Sequence, residues 1–319
     1  MFDTAFRTLF LSTPAKLSLA DKHLCITKES DEIKIPLSDI LCIILESHQI
    51  TLTNALINAL ALNKIIVYTC DSSHLPSGIF MPFLGHYKSS RVLETQLKTS
   101  KQQKSILWQQ IIKAKIDNQA RFLAMLNKAE VSTLQSLAKS VYLGDSSNNE
   151  AKAAAIYFKA LFGRDFSRKT QIFEDKNIGV INAALNYGYA IVRGAIVRSL
   201  CASGLNPALG IFHANQFNPF NLADDLIEPY RIFVDSLVEK IRKLGELDEN
   251  LSLENRLELA EILSTQVCIG EKYYPLYRAV IASVQSLLNA IGKNVALALP
   301  CFEKDKSNGR EIYESASDV

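Results

Sequence analysis

A change of character near residue 88 constrains this chain more than any other feature. Up to that point the sequence is built of short apolar and β-branched runs, at 7–11, 16–19, 23–27, 33–37 and 40–45, separated by polar pairs such as Ala20-Asp21 and Ser30-Asp31. Alternation is visible in Ile33-Lys34-Ile35, and runs of this length between turn residues predict strands. A short helix over 53–62 and a buried strand over 64–70 follow, before a turn-rich stretch over 71–78. From residue 88 the chain turns to long Lys/Gln/Ala/Leu-rich segments of helical period, with no proline before Pro207. That pattern predicts helices over 88–126, 131–141, 148–162, 178–203, 222–244, 253–267 and 273–292. The expected fold is α+β in two domains: a β-rich domain over 1–87, a larger all-α domain over 88–300, and a polar tail over 301–319 that frays.

At 319 residues the chain is long for one core, which favours the same division. Apolar residues make up 48% and charged residues 21%, proportions of a folded globular chain that exclude a disordered polymer. The first residues lack the basic-then-apolar order of a signal peptide, and no uncharged apolar run reaches the length of a bilayer span. A cytoplasmic protein without a membrane partner is the expectation. The six cysteines include no C-x-x-C pair and no histidine at zinc-finger spacing, so buried, reduced thiols are expected.

The net charge of +2 says little, but its distribution is uneven. Between Lys88 and Lys128 nine basic residues stand against only Glu94 and Asp117. Such an excess suits a polyanion such as nucleic acid, or else a solvated helix face.

Of the five histidines, four lie in or beside the β-rich part without an acidic partner at ligand spacing. His213 differs, because it closes a glycine-rich break that begins at Gly204 and is followed by Asp224-Asp225-Leu226-Ile227-Glu228. On a helix, Asp224 and Glu228 stand four residues apart and Asp225 and Glu228 three, which gathers carboxylates on one face. Either they favour a helix N-terminus, or a cation sits among them; carboxylate and imidazole ligands suit Mg2+ or Mn2+ rather than a thiolate-binding metal. Pro229 disfavours helical geometry at Glu228, so the helix kinks there or begins there. Glu150 lies in the first turn of another expected helix, with Tyr157 two turns on along nearly the same face. Asn182, Asn186, Tyr189 and Arg193 form a polar stripe on an otherwise apolar helix, facing solvent or walling a phosphate.

These segments occur in one order: Glu150-x-x-Ala-Ala-x-x-Tyr157, then Asn182-x-x-Leu-Asn-Tyr-Gly-Tyr189, then Gly204-Leu-x-Pro-x-x-Gly-x-x-His213, leading to Asn218 through Arg231. The combination resembles the CRISPR-associated integrase family (CRISPR-associated protein one), in the version that accompanies single-protein RNA-guided effector nucleases. The resemblance implies Glu150, His213 and Glu228 as metal ligands for Mg2+ or Mn2+, with Asp225 as an orienting neighbour or occasional ligand. One departure is that Tyr230-Arg231 is followed by Ile232, where the family often has proline. The implied reaction joins the 3′-hydroxyl of captured foreign DNA to a CRISPR repeat by transesterification; with water as nucleophile it becomes endonucleolytic cleavage. The competing readings are a metal-dependent nuclease of branched DNA in repair and a non-catalytic DNA-binding scaffold. The region 88–128 with Arg164, Arg168, Lys169, Arg193 and Asn186 is the candidate track for the DNA backbone. Tyr157 and Tyr189 either stack on splayed bases or pack in the helical core. Implied partners are double-stranded DNA, a second copy of the chain in a homodimer paired through its β domain, the small ferredoxin-like CRISPR-associated protein two, and the effector nuclease as a further candidate.

Overall fold

The computed structural model describes residues 5–29, 31–82, 86–168, 176–247, 250–293 and 295–303. Strands β1 (Arg7–Leu11), β2 (Lys16–Ala20), β3 (His23–Lys28), β4 (Asp31–Pro36), β5 (Ile40–Leu45), β6 (Thr51–Leu52), β7 (Ile66–Cys70) and β8 (Pro76–Phe80) form two four-stranded sheets, with helix α1 (Asn54–Leu62) between β6 and β7. One sheet has the order β1-β5-β7-β8, its first three strands parallel and β8 antiparallel. The other has the order β4-β3-β2-β6, antiparallel except for the short parallel pairing of β6 with β2. The Thr53 hydroxyl accepts from Leu56 N at 3.3 Å and starts α1 where the sequence places it, as an N-cap. The segment read as turn alone ends in β8, which pairs with β7.

Every residue of β5 is buried, as a strand covered on both faces requires. Ile43, Leu45 and Val67 pack between the two sheets against Leu17, Leu24, Leu56 and Leu60. On the opposite face Cys42, Ile44, Ile66 and Tyr68 belong to the same core as the helices beyond residue 100. That core therefore runs unbroken from sheet to helices. Tyr68 crosses the junction, its hydroxyl donating to Ile191 O at 2.8 Å, and a Cβ on Gly194 would lie only 2.2 Å from the Tyr68 hydroxyl oxygen. Gly194→Ala should therefore overpack the junction and cost about 1–3 kcal/mol. A urea midpoint equal to that of the wild type would show that the junction has slack.

The helices are α2 (Ser89–Leu97), α3 (Lys101–Met125), α4 (Val131–Lys139), α5 (Asn149–Phe162), α6 (Lys176–Ala202), α7 (Asn221–Ile227), α8 (Arg231–Leu244), α9 (Leu253–Ala260) and α10 (Leu276–Ala290). The expected helix over 88–126 is two, because the Ser100 hydroxyl accepts from Gln103 N at 3.2 Å and restarts the chain as α3. The expected helix over 253–267 ends early, and residues expected to open the last helix are extended. Strands β9 (Gln266–Ile269) and β10 (Lys272–Pro275) pair there as an antiparallel hairpin. Gly270 and Glu271 both take positive φ, 57° and 64°, the backbone twist that a two-residue hairpin turn needs. Cys301 pairs with Cys268 as an isolated bridge, and Phe302 N donates to Asn118 Oδ1 at 2.9 Å. The first residues of the expected tail are thus fastened to the body; residues 304–319 lie outside the described residues.

All six cysteines are free, four of them buried. Burial pushes the Cys42 thiol up to about 12. The stretch Ile178–Ala202 of α6 is long and apolar enough to cross a membrane by composition, but its most apolar window is 78% buried inside the protein. It serves as the central core helix, packed against α7, α8, α9 and α10.

Candidate functional site

Three local devices converge on the middle of α3. The first presents Glu150. In the 3-10 turn Leu143–Asp145, the Asp145 carboxylate accepts from Asn149 N and Glu150 N, both at 2.9 Å. Those are free donors of the α5 N-terminus, so the bonds fix the first turn and the direction of Glu150.

The second device shapes the glycine-rich loop before His213. The Gln96 amide donates to Asn206 O and Leu209 O, each at 3.0 Å, and accepts from Asn206 N at 2.9 Å. Lys104 Nζ holds Gly210 O at 2.9 Å. Asp225, fully buried at the centre of the loop, accepts from the backbone N–H of Ile211 (2.5 Å), Phe212 (3.1 Å) and His213 (3.0 Å), and pairs with His213 Nδ1 at 2.7 Å. A Cβ on Gly210 would stand 2.2 Å from His213 O, so only glycine permits this tight closure. Phe212 stacks on Trp108 of α3, with ring centroids 4.4 Å apart.

The third device is the step at Pro229. α7 passes through a 3-10 turn, Glu228–Tyr230, into α8. Proline has no N–H for the helical bond at that point, and Asn118 of α3 donates to Pro229 O at 3.0 Å. The carboxylates after residue 222 thus sit on two helical pieces joined by a kink, the first of the two geometries the sequence left open.

Glu150 and Glu228 meet at Lys115, whose ammonium lies 2.7 Å from Glu150 Oε1 and 2.5 Å from Glu228 Oε2. Arg231 Nε holds Glu228 Oε1 at 3.0 Å. Burial raises the Glu228 carboxyl, but the Arg231 and Lys115 charges outweigh it and hold the group at about 2. Burial likewise lowers Lys115, and the charges of Glu228 and Glu150 more than reverse that. His213 is raised by its hydrogen bond to Asp225, against burial.

Among the described residues no three His, Cys, Asp or Glu side chains are grouped as ready metal ligands; between Glu150 and Glu228 the cation is Lys115. The donor chemistry nevertheless fits a divalent cation. Glu228 Oε2 is buried without a hydrogen bond of good geometry, its contact with Lys115 being ionic. With Nδ1 engaged by Asp225, His213 has Nε2 left to offer. Two carboxylates and an imidazole suit Mg2+ or Mn2+. Both Asp225 oxygens are engaged, Oδ2 by Ile211 N and Phe212 N and Oδ1 by His213 N and Nδ1, so the carboxylate fixes the imidazole to the loop.

The other sequence candidates divide. Tyr157 is fully buried and Tyr189 nearly so; Tyr157 donates to Asp235 Oδ2 at 2.9 Å and Tyr189 to Asp235 Oδ1. Both rings belong to the core, the second of their two readings. Burial raises Asp235 to about 6 despite the two tyrosine hydroxyls. Arg168 donates to Asn182 at 2.6 Å and to Asn186 at 2.8 Å. It lies over the Phe158 ring at 6.0 Å and the Tyr189 ring at 5.3 Å, and Arg231 approaches the same Tyr189 ring at 4.6 Å. Arg193 stands 3.8 Å from Asp224 and keeps about two-fifths of its side chain exposed. Arg164 lines an open groove of about 890 Å³ with Lys128, Lys159 and Arg242. Lys169 lies outside the described residues. Within the basic stretch, Lys104 and Lys115 turn inward, while Arg91, Lys101, Lys113 and Lys128 are exposed.

Lys115, Arg231, Asp145, Gln96 and Asp235 were not singled out from the sequence. For Lys115 a signal existed: it falls in register with Leu107, Ile111 and Gln119 on the buried face of α3, where a lysine demands a counter-charge.

The family model for CRISPR associated protein Cas1 matches residues 9–263. The CRISPR-associated endonuclease Cas1 of Neisseria meningitidis serogroup C (strain 8013) is 38% identical over 283 residues, 88% of this chain and 90% of that protein. Among solved structures, a casposase bound to integration product matches with a TM-score of 0.74 at 18% identity, over 92% of this chain and 93% of that one. A chain of a Cas6-RT-Cas1–Cas2 complex matches with a TM-score of 0.70 at 21% identity, over 92% of this chain and 35% of that one. The structural likenesses establish the fold, and the family model and the Neisseria relative establish the kinship: the chain belongs to the CRISPR-associated Cas1 family.

Proposed function

We propose that this chain is a divalent-metal-dependent DNA integrase and endonuclease of CRISPR adaptation, with Glu150, His213 and Glu228 as ligands of Mg2+ or Mn2+. The observation that carries the reading is the convergence of Glu150 and Glu228 on one buried cation, within electrostatic reach of an imidazole that Asp225 holds. When bound, the metal would stabilise charge on the oxygens of a phosphodiester and acidify the attacking hydroxyl. Asp225 holds the imidazole through Nδ1, which leaves Nε2 as the nitrogen that would bind the metal. Arg231 and Lys115 keep positive potential around that position, and the partly exposed Arg193, with the exposed Arg91, Lys101, Lys113 and Lys128, offers contacts to the phosphate backbone. Such contacts hold DNA with little regard to sequence and weaken as salt rises.

The relatives' names agree with this reading: an endonuclease, a casposase bound to integration product, and a Cas1 in a complex with Cas2. Double-stranded DNA and a small Cas2-type protein are the proposed partners. Two sites are needed for the two ends of a repeat, which supports a homodimer; the effector nuclease remains a proposed further partner.

The test is an integration assay with the neighbouring repeat, a short duplex bearing 3′-hydroxyls, the Cas2-type partner and Mn2+. Joined half-site products that vanish with EDTA are expected. His213→Ala should cost more than the about 10–100-fold that follows loss of a ligand's outer partner. Wild-type joining by that variant would refute the ligand assignment, shortened fragments alone would favour a nuclease, and no chemistry at all would favour a scaffold.

A further inference from the structure

The carboxylates of Glu150 and Glu228 already share a cation that belongs to the chain. Lys115 reaches both from α3, and its side chain is only 10% exposed. Charge around the pair is balanced, with Lys115 and Arg231 against Glu150 and Glu228. The remaining pair, His213 and Asp225, carries one negative charge when the imidazole is neutral, as a metal ligand must be. A divalent ion added to this arrangement therefore leaves one positive charge in excess in a largely buried place, which a protein interior tolerates poorly. Two events relieve the excess: the ammonium moves out from between the carboxylates, or an anion arrives.

One displacement of Lys115 achieves both. A lysine ammonium is a compact charge on a flexible four-carbon stem, and the site opens on the Glu150 side, where that side chain is 23% exposed. An ammonium that leaves the carboxylates towards that opening meets whatever occupies it, and a DNA phosphate is the anion that the proposed reaction brings there. We infer that Lys115 is an exchangeable counter-cation: it holds Glu150 and Glu228 together in the metal-free protein and releases them to a divalent ion when a DNA phosphate takes its ammonium. The inference rests on the metal-site reading proposed above. It makes metal and DNA binding mutually dependent, because any ligand that raises the affinity of a second has its own raised by the same factor.

The experiment is Mn2+ titration followed by electron paramagnetic resonance, with and without a duplex whose 3′ ends are dideoxy-terminated so that no joining occurs. For the wild type, DNA should tighten Mn2+ binding by about 10-fold or more, the size of effect that neighbours of a metal site exert. Lys115→Gln should bind Mn2+ tighter than the wild type without DNA by a similar factor, and DNA should then add little. Lys115→Arg, which keeps the charge, should behave like the wild type. Equal Mn2+ affinity of the wild type with and without DNA overturns the exchange, and this measurement requires no variant to fold. Lys115→Gln binding Mn2+ no tighter than the wild type overturns it as well. Glu150→Gln separates the two levels of the reading: Mn2+ binding that survives it unchanged refutes the metal site itself, and the exchange with it. Loss of binding in Glu150→Gln together with DNA-independent binding in the wild type refutes the exchange alone.

Discussion

Replacing Glu228 with alanine is expected to destabilise the metal-free protein by about 3–5 kcal/mol, the cost of stripping one partner from a buried ion pair, in addition to abolishing DNA joining. Both oxygens of this buried carboxylate face cations, Lys115 at 2.5 Å and Arg231 at 3.0 Å. Without it Lys115 keeps only Glu150, and Arg231 keeps only its ring contact with Tyr189 and the more distant charges of its surroundings. Glu228→Gln retains the shape and loses the charge, so a smaller loss is expected. Urea denaturation in EDTA measures both.

The pH dependence of that loss has a definite sign. Burial raises the Glu228 carboxyl and the two cations lower it by more, so it stands at about 2 in the folded protein against an ordinary 4.5. A carboxyl depressed by folding contributes stability that is fully present above its unfolded value and disappears as pH falls through the folded one. The difference between the wild type and Glu228→Ala should hold steady from neutral pH down to about 4.5 and shrink as pH approaches about 2. A variant with an unchanged urea midpoint at neutral pH would mean that the charges around Lys115 are screened by water rather than paired.

Most of the sheet was legible because its signals are local. The runs at β1 to β5 are short, apolar and bounded by turn residues, and the Thr53 cap marks the start of α1 within four residues of its partner. The hairpin of β9 and β10 was lost inside helical pattern, because Glu and Leu spacing on either side continues the period while the turn depends on positive φ at Glu271, a conformation few sequences announce. At the site, Glu150, His213 and Glu228 were singled out through the order of their motifs, each being unremarkable alone, and the fold brings Glu150 and Glu228 to one lysine. Their counter-ions were not. Lys115 and Glu150 are 35 residues apart and on different helices, and no periodicity within one segment reports such a pair. Tyr157 and Tyr189 illustrate the same limit from the other side: an aromatic beside a polar stripe reads equally as a base-stacking surface or as core, and only the buried Asp235 between their hydroxyls decides it.

Asp225→Ala is the variant expected to separate orientation from ligation. The carboxylate has no exposure and carries four contacts: the N–H groups of Ile211, Phe212 and His213, and the imidazole Nδ1. Its removal strands three backbone donors in a part-buried loop, at about 1–3 kcal/mol for each that finds no water. The loop can relax only so far, because Gln96, Lys104 and Asn221 still hold its flanks and Phe212 remains stacked on Trp108. A net loss of about 3–5 kcal/mol is therefore expected, comparable with that of Glu228→Ala. The effect on chemistry should differ in kind. His213, Glu150 and Glu228 all remain, so Mn2+ affinity should fall by about 10–100-fold, the range for an outer partner of a ligating histidine, and raising Mn2+ should recover part of the joining. Asp225→Asn keeps one acceptor oxygen and should fall between the variant and the wild type in both stability and Mn2+ requirement. If no concentration of Mn2+ restored joining to either variant while the loop stayed folded by limited proteolysis across residues 204–220, Asp225 would have to be a ligand rather than the residue that aims His213.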